Sequence, residues 1–363
     1  MPFGVSHARL ALWAALLAWL PLPVLVVFEA GSLGAVSVRS FLTAIAPHAR
    51  YLISVPLLIL ANQVCPPRLW RVIAHFGSAG IIADRDALDQ LTASGHRWFD
   101  SAIARVAILV LAYVATAAFI RSFPNDFVPE WHRGHGNWGR FSLAGWWHTF
   151  VSIPLLMALI FWWVWRLLVW ARVLRDVARC DLHLIAAHPD RTAGLGFLAG
   201  SLRAFAIVGI AFSTIVASRM AEQILAGTNP SKSQIAFDAG LIFCILLALV
   251  APLFMFTPTL MRVGRVGGLQ YSALAQRMGR RFEARWLTND ARSESDEMLR
   301  VQDFSATIDL YSVVAGSRAV RFVPVSERDL IRLALALFMP FLPVVLLTVP
   351  LHVILSELKG LLL

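Results

Sequence analysis

Seven stretches of this chain are long and apolar enough to cross a lipid bilayer, and that pattern constrains the fold before any motif is considered. A helix needs about 20 mostly apolar residues to span the ~30 Å hydrocarbon layer, where every backbone N–H and C=O must be satisfied within the protein. The runs lie at about 10–28, 45–64, 102–120, 148–170, 204–225, 235–256 and 329–355. Composition agrees: 58% of the 363 residues are hydrophobic and 15% are charged, against roughly 25% charge in a soluble domain. The expected fold is all-α, a polytopic membrane helix bundle in a single membrane domain covering 1–363. About seven transmembrane helices carry it, with cytoplasmic helical insertions at 68–100 and 257–328.

The first run follows His7 and Arg9 and lacks a small-x-small cleavage site, so it is expected to remain as a span. With that N-terminus in the cytoplasm, 23 of the 32 Lys and Arg residues fall in cytoplasmic segments. The positive-inside bias then places the C-terminus on the opposite side. Pro340, Pro343 and Pro350 leave a bent or re-entrant last span open as the alternative. The net charge of +10 comes almost wholly from Arg, and it suits loops lying over anionic lipid headgroups. No nucleic-acid-binding signature accompanies it. Cys65, Cys180 and Cys244 form no C-x-x-C pair, so neither a disulfide framework nor a thiolate metal site is expected.

Local signals set the expected ends and loops. Pro66 and Pro67 are expected to stop the second helix. Asp84, Asp86 and Asp89 suit a helix N-terminus, and Ser326 with Asp329 has capping-box spacing. Residues 121–147 are rich in Trp, Gly and Pro, as an irregular interfacial loop would be. Two helical patterns follow the sixth span, a basic amphipathic one at 262–286, of the kind that lies on an inner leaflet, and another at 301–314. The two halves of the sequence show no internal repeat.

Residues 188–198, HPDRTAGLGFL, resemble a motif of the form H-P-D-x-x-G-G-L-G-F-L found in a family of uncharacterised bacterial polytopic membrane proteins. The resemblance extends to SLAGWWHTFVSIPLL before the motif and to Asp303, Phe304 and 321–324 after it. Ala193 stands where the pattern has the first glycine of its pair. The resemblance implies a bacterial inner-membrane location and no particular activity.

That motif supplies the first candidate site. Glycines before a helix let backbone N–H groups approach an anion, so His188, Asp190, Arg191, Gly194, Gly196 and Arg203 are candidates for binding a phosphate or headgroup. A tight turn capped by Asp190 explains the same residues without a ligand. His183, His188, Asp181 and Asp190 have donor chemistry for a metal or a general base, at spacings that match no hydrolase or zincin. A second donor set, Glu130, His132, His135 and His148, occupies the Trp-rich loop and its edge, with His132, His135 and His148 as weak metal candidates. Arg219, Glu222 and Asp238, at the outer ends of the fifth and sixth spans, are candidates for a polar vestibule. Arg166, Arg203 and Arg219 lie near span ends, where a long side chain reaches lipid phosphate.

No motif implies a cofactor. Three functions fit: an ion or solute conduit, carrier or membrane sensor; a membrane-anchored assembly or lipid-headgroup-binding protein; or an interfacial lipid-modifying enzyme. The first leads, an enzyme is less favoured, and a homo-oligomer could form the working cavity between subunits. A protein partner is not indicated by any residue pattern.

Overall fold

The computed structural model describes residues 7–33, 35–122, 129–133, 141–228, 230–286 and 303–348. Among them the extended backbone makes a single isolated bridge, between Arg133 and Phe141. The rest is helices joined by turns and irregular loops. In chain order the helices are α1 (His7–Trp19), α2 (Pro21–Leu33), α3 (Ala35–Thr43), α4 (Ile45–Ala49), α5 (Val55–Ser78), α6 (Arg85–Phe99) and α7 (Ala102–Ser122). They continue with α8 (Leu143–Trp147), α9 (Ile153–Ala178), α10 (Gly200–Leu225), α11 (Lys232–Val250) and α12 (Thr257–Trp286). The last three are α13 (Asp303–Arg318), α14 (Glu327–Phe338) and α15 (Leu342–Thr348).

Seven helical stretches among the described residues can cross a membrane by length and composition: Ala8–Glu29, Ile45–Ser78, Arg85–Ser122, Leu143–Ala178, Gly196–Leu225, Lys232–Ala284 and Glu327–Leu347. The chain is an all-α, multi-pass membrane protein. Its outer face carries exposed Leu, Val, Phe and Trp, such as Trp13, Phe28, Ile103 and Phe243, which is the surface a lipid solvent selects.

The fifth span is the hub. Its apolar window is 61% buried, whereas the other six are 22–39% buried. Helix α10 touches α4, α5, α11, α14 and α15. It can do so because small residues, Ala204, Ala211, Ser213, Ala217, Ser218 and Ala221, line its buried faces and let backbones approach. At Gly209 a Cβ would lie 2.6 Å from Leu337 Cδ1 and 3.1 Å from Leu249 Cδ1, so a glycine is required where α10, α11 and α14 meet. Around this hub α1 packs along α5, and α7 along α9.

The second helix does not stop at Pro66 and Pro67; α5 carries both in its interior and runs to Ser78. Two lost backbone bonds are outweighed by packing on either side, where Cys65 and Leu69 are fully buried and the Cys65 thiol donates to Ala204 O at 2.9 Å. The helix-end signals at Asp84 and Ser326 do appear as caps: Asp84 accepts from Ala87 N–H at 2.9 Å, and Ser326 Oγ accepts from Asp329 N–H at 3.2 Å. In the last span Pro340 sits in a single 3-10 turn between α14 and α15. Its course beyond Thr348, including Pro350 and the expected end near 355, lies outside the described residues.

Ahead of α7, α6 packs on α9 and α5 through Gly95. A Cβ there would meet Trp70 Cη2 at 2.7 Å and Val173 Cγ2 at 2.9 Å. Gly95→Ala is therefore expected to destabilise the protein by about 1–3 kcal/mol, the usual cost of overpacking, read as a lowered thermal midpoint in detergent. An unchanged midpoint would show that α6 docks more loosely than its contacts imply. On the same side of the bundle, α12 and α13 pack together. Gly267 lets α12 close on Ala186, and Gly264 faces Val320. Helix α12 thus uses one face against protein and leaves Arg262, Arg265, Arg277, Arg280 and Arg281 exposed.

Candidate functional site

Two short segments share one local chemistry. RYLISVP (50–56) and HTFVSIP (148–154) both place proline at the second position of a long apolar helix. Pro56 and Pro154 have no N–H, so the carbonyls four residues earlier lose their α-helical donor. Each helix widens into a π-helical turn, Arg50–Ser54 and His148–Ser152, in which Val55 N–H bonds to Arg50 O and Ile153 N–H to His148 O. The freed Phe150 carbonyl accepts from Tyr113 Oη at 3.2 Å. Such turns are rare and concentrate at functional sites. The arrangement of short helix, π-turn, proline and long helix occurs twice, as α4–α5 and α8–α9, a structural repeat that the side chains conceal.

The two turns meet at one end of the bundle, the end away from the basic insertions. The ring centroids of Tyr51 and His148 are 5.7 Å apart, and those of His132 and His148 are 5.2 Å apart. Thr149 Oγ1 lies 3.3 Å from His132 Nε2, and Ser152 Oγ donates to Ala18 O at 2.7 Å. Both ring nitrogens of His148, with Tyr51 Oη, Ser54 Oγ and Arg50 Nε, are buried without a hydrogen-bond partner among the described residues. A buried polar group left unpaired costs about 1–3 kcal/mol, and in folded proteins water or a ligand ordinarily satisfies it. Arg50 lies within electrostatic reach of Tyr51, His148 and Glu222. Glu222 in turn walls a cavity of about 610 Å³ with Arg39, Thr43, Pro129 and Leu225. Arg50 thus stands electrostatically between Glu222, on the wall of that cavity, and the polar groups of the π-turns.

Below the π-turns the seam between α5, α9 and α10 is dry: Leu58, Trp163, Leu202, Phe205 and Val208 are all at most 2% exposed. Polar groups return at Arg166, which is 6% exposed. Its guanidinium bonds to Asn62 Oδ1, lies 3.7 Å from Asp100 and sits against the rings of Phe99 at 4.5 Å and Trp162 at 4.8 Å. Arg166 therefore does not reach out to lipid phosphate as its position in the sequence suggests. Asn62 within the bundle and Asp100 at its surface supply its partners, and aromatic faces cover the rest.

The HPDRTAGLGFL segment folds into a turn closed on Asp190. Its Oδ1 accepts from Thr192 N–H at 2.8 Å and Gly194 N–H at 3.1 Å, and its Oδ2 accepts from Gly196 N–H at 2.9 Å. His188 Nδ1 lies 2.9 Å from Oδ1. The backbone takes φ values of 57° at Arg191, 56° at Ala193 and 94° at Gly194, so the amides curl around one point. Ala193, where the resemblance has glycine, occupies a conformation that glycine adopts at no steric cost. The N–H groups offered to an external anion are thus already taken by an internal one. Burial raises the Asp190 carboxyl, but the N–H donors outweigh it and hold its pKa at about 2, which leaves it a poor proton acceptor near neutrality. Arg191 and Arg203 are exposed beside this turn.

The remaining candidates separate. Arg219 and Asp238 pair at 3.6 Å, and Asp238 walls a cavity with Phe338 and Phe341. Glu222 lines the other cavity, with Arg39, so the three do not share one vestibule. His132 and His148 come together, whereas His135 lies outside the described residues. Among the described residues no three His, Cys, Asp or Glu side chains gather as a metal site. Sequence reasoning missed Arg50, Tyr51, Ser54 and Asn62; the signal for the first three was the repeated Ser-Val/Ile-Pro ending of two otherwise unlike segments.

No protein-family model matches the chain, and comparisons with curated proteins and with solved structures gave no match.

Proposed function

We propose that the protein is a gated conduit or carrier for small polar solutes, small anions foremost, working along the seam of α5, α9 and α10. The observation that carries this reading is the pair of polar nodes on that seam, separated by a dry plug. One node holds buried groups around Arg50 and His148 that have no hydrogen-bond partner among the described residues. The other holds Arg166 with Asn62. Arginine at each constriction favours anions and neutral solutes over metal cations, and the plug of Leu58, Phe205 and Val208 corresponds to a closed state. The proposed setting is a bacterial inner membrane, with the N-terminus and the basic insertions facing anionic lipid in the cytoplasm.

The test is chloride–nitrate exchange in liposomes containing the purified protein, followed with a chloride-quenched dye. Exchange above protein-free vesicles is expected, with Arg50→Gln reducing it by on the order of tenfold, equivalent to about 1.4 kcal/mol at the constriction. If neither anion nor a neutral polyol crosses faster than in empty vesicles, the reading fails.

An assembly role is the second reading. It is favoured by the α12–α13 pair, where Leu269, Ile308 and Tyr311 are exposed beside the arginines of α12. An interfacial enzyme is less favoured, because the one carboxylate in the glycine turn is saturated by its own backbone.

A further inference from the structure

A second polar site lies in the bundle away from the π-turns, and it stands apart from the transport reading. Asp238 is 4% exposed, held in α11, whose start is fixed by a capping box between Ser231 and Gln234. Its Oδ1 is 3.6 Å from Arg219, while its Oδ2 is buried with no hydrogen-bond partner among the described residues. Beside it is a cavity of about 310 Å³ walled otherwise by Met220, Ile235, Ile242, Phe341 and Val344. That is the lower end of ligand-pocket sizes.

Three features define what fits. The cavity opens among lipid-facing side chains, since Phe237, Leu241, Phe338 and Leu342 around it are 40–61% exposed; its occupant arrives from the bilayer. Asp238 lies seven residues into α11 from its Ser231 cap, about 10 Å at 1.5 Å per residue, the depth at which headgroups give way to acyl chains. Arg219 is 44% exposed by its side chain, so it keeps donors for an anion while Asp238 keeps an acceptor for a cation. An apolar body with a phosphate and a hydrogen-bonding ammonium complements all three.

We infer that this cavity binds a phospholipid with an ethanolamine-type headgroup, its phosphate on Arg219, its ammonium on the free oxygen of Asp238 and the start of an acyl chain along Phe338, Phe341 and Val344. Choline carries the same charge but has no N–H to give Asp238. A glycerol headgroup has donors but no positive charge. The selectivity therefore resides in Asp238, and the general affinity in Arg219 and the apolar wall.

The test uses the full chain, stripped of lipid in detergent and offered phosphatidylethanolamine, phosphatidylcholine or phosphatidylglycerol of matched acyl chains, with bound lipid counted by native mass spectrometry. Phosphatidylethanolamine is expected to be retained at least tenfold better than phosphatidylcholine. Asp238→Asn should bring the two level, and Arg219→Gln should weaken both. Should Asp238→Asn fail to give folded protein, Ala239→Trp leaves the ion pair in place and fills the mouth of the cavity, and loss of bound lipid is the expected result. Equal retention of ethanolamine and choline lipids, preference surviving in Asp238→Asn, or lipid surviving in Ala239→Trp would each overturn the inference. Glycerophosphoethanolamine, which lacks acyl chains, should not compete; competition by it would show a headgroup site and not a lipid site.

Discussion

Replacing Asp190 by Ala is expected to destabilise the protein by about 3 kcal/mol, because three backbone donors lose their acceptor at once and each unpaired donor costs on the order of 1 kcal/mol or more. Among the described residues these three amides have no other acceptor, and the turn holds them to one point. Its backbone is bent through positive φ at Arg191, Ala193 and Gly194, and that bend is stable only while a negative group sits at its focus. Asn is a poor substitute: its amide nitrogen would face either the Gly196 N–H or the two donors on the other oxygen, setting donor against donor. The loss should spread beyond the turn, since Arg191 O accepts from Arg321 N–H at 2.7 Å and Ala186 packs under Gly267 of α12. A thermal melt of Asp190→Ala followed by Trp fluorescence, with tryptic cleavage near Arg318 and Arg321 as a second readout, tests this. A variant that melts like the parent and resists trypsin equally would mean that water replaces the carboxylate without cost.

The same carboxylate gives a pH dependence with a definite sign. Its pKa falls from 3.8 to about 2 on folding, so its contribution is fully present above about 3.8 and is lost as pH falls through about 2. At 1.36 kcal/mol per pKa unit the loss is about 2 kcal/mol. Asp190→Ala should therefore melt with a flatter acid limb than the parent.

What could be read in advance divides along physical lines. Spans are legible because a lipid solvent leaves one solution for the backbone, so apolar length alone points to seven membrane-crossing stretches, as many as the described residues form. Caps are legible because they are local: Asp84 and Ser326 act on amides three residues away. Pro66 and Pro67 misled, since whether a helix survives a proline depends on burial of Cys65 and Leu69 against a partner 139 residues distant. The π-turns were hidden for a related reason. One proline near the start of a helix is unremarkable, and its meaning came from a second copy meeting it in space. Arg166 was visible as an ionisable residue in a span, but its partners lie elsewhere, Asn62 on α5 and Asp100 in the turn after α6. At the glycine turn the nest for an anion was legible and its occupant was not, because Asp190 reaches across a loop whose positive φ values no spacing announces.

The asymmetry of the Arg166 node leads to the other large effect. Asn62→Leu is expected to cost about 3 kcal/mol, whereas Arg166→Met should cost about 1 kcal/mol, although each removes the same hydrogen bond. Removing Asn62 leaves a guanidinium that is 6% exposed with Asp100 at 3.7 Å as its one remaining carboxylate, and stranding a buried charge typically costs 3–5 kcal/mol. The aromatic faces of Phe99, Trp162 and Trp163 moderate that cost without replacing an acceptor. Removing the arginine strands little: Asp100 is 71% exposed and returns to water, Asn62 still donates to Leu58 O at 3.3 Å, and methionine fills the aromatic box. The double variant should therefore be more stable than Asn62→Leu alone by about 2 kcal/mol, where additivity would make it about 1 kcal/mol less stable; that coupling of about 3 kcal/mol is well above the scatter of additive sites. Thermal midpoints of the four proteins measure it. Additive losses would show that Asn62 supports α5 through its own backbone bond and that Arg166 is satisfied by water entering from the side of Asp100, which would also remove the second node from the proposed route.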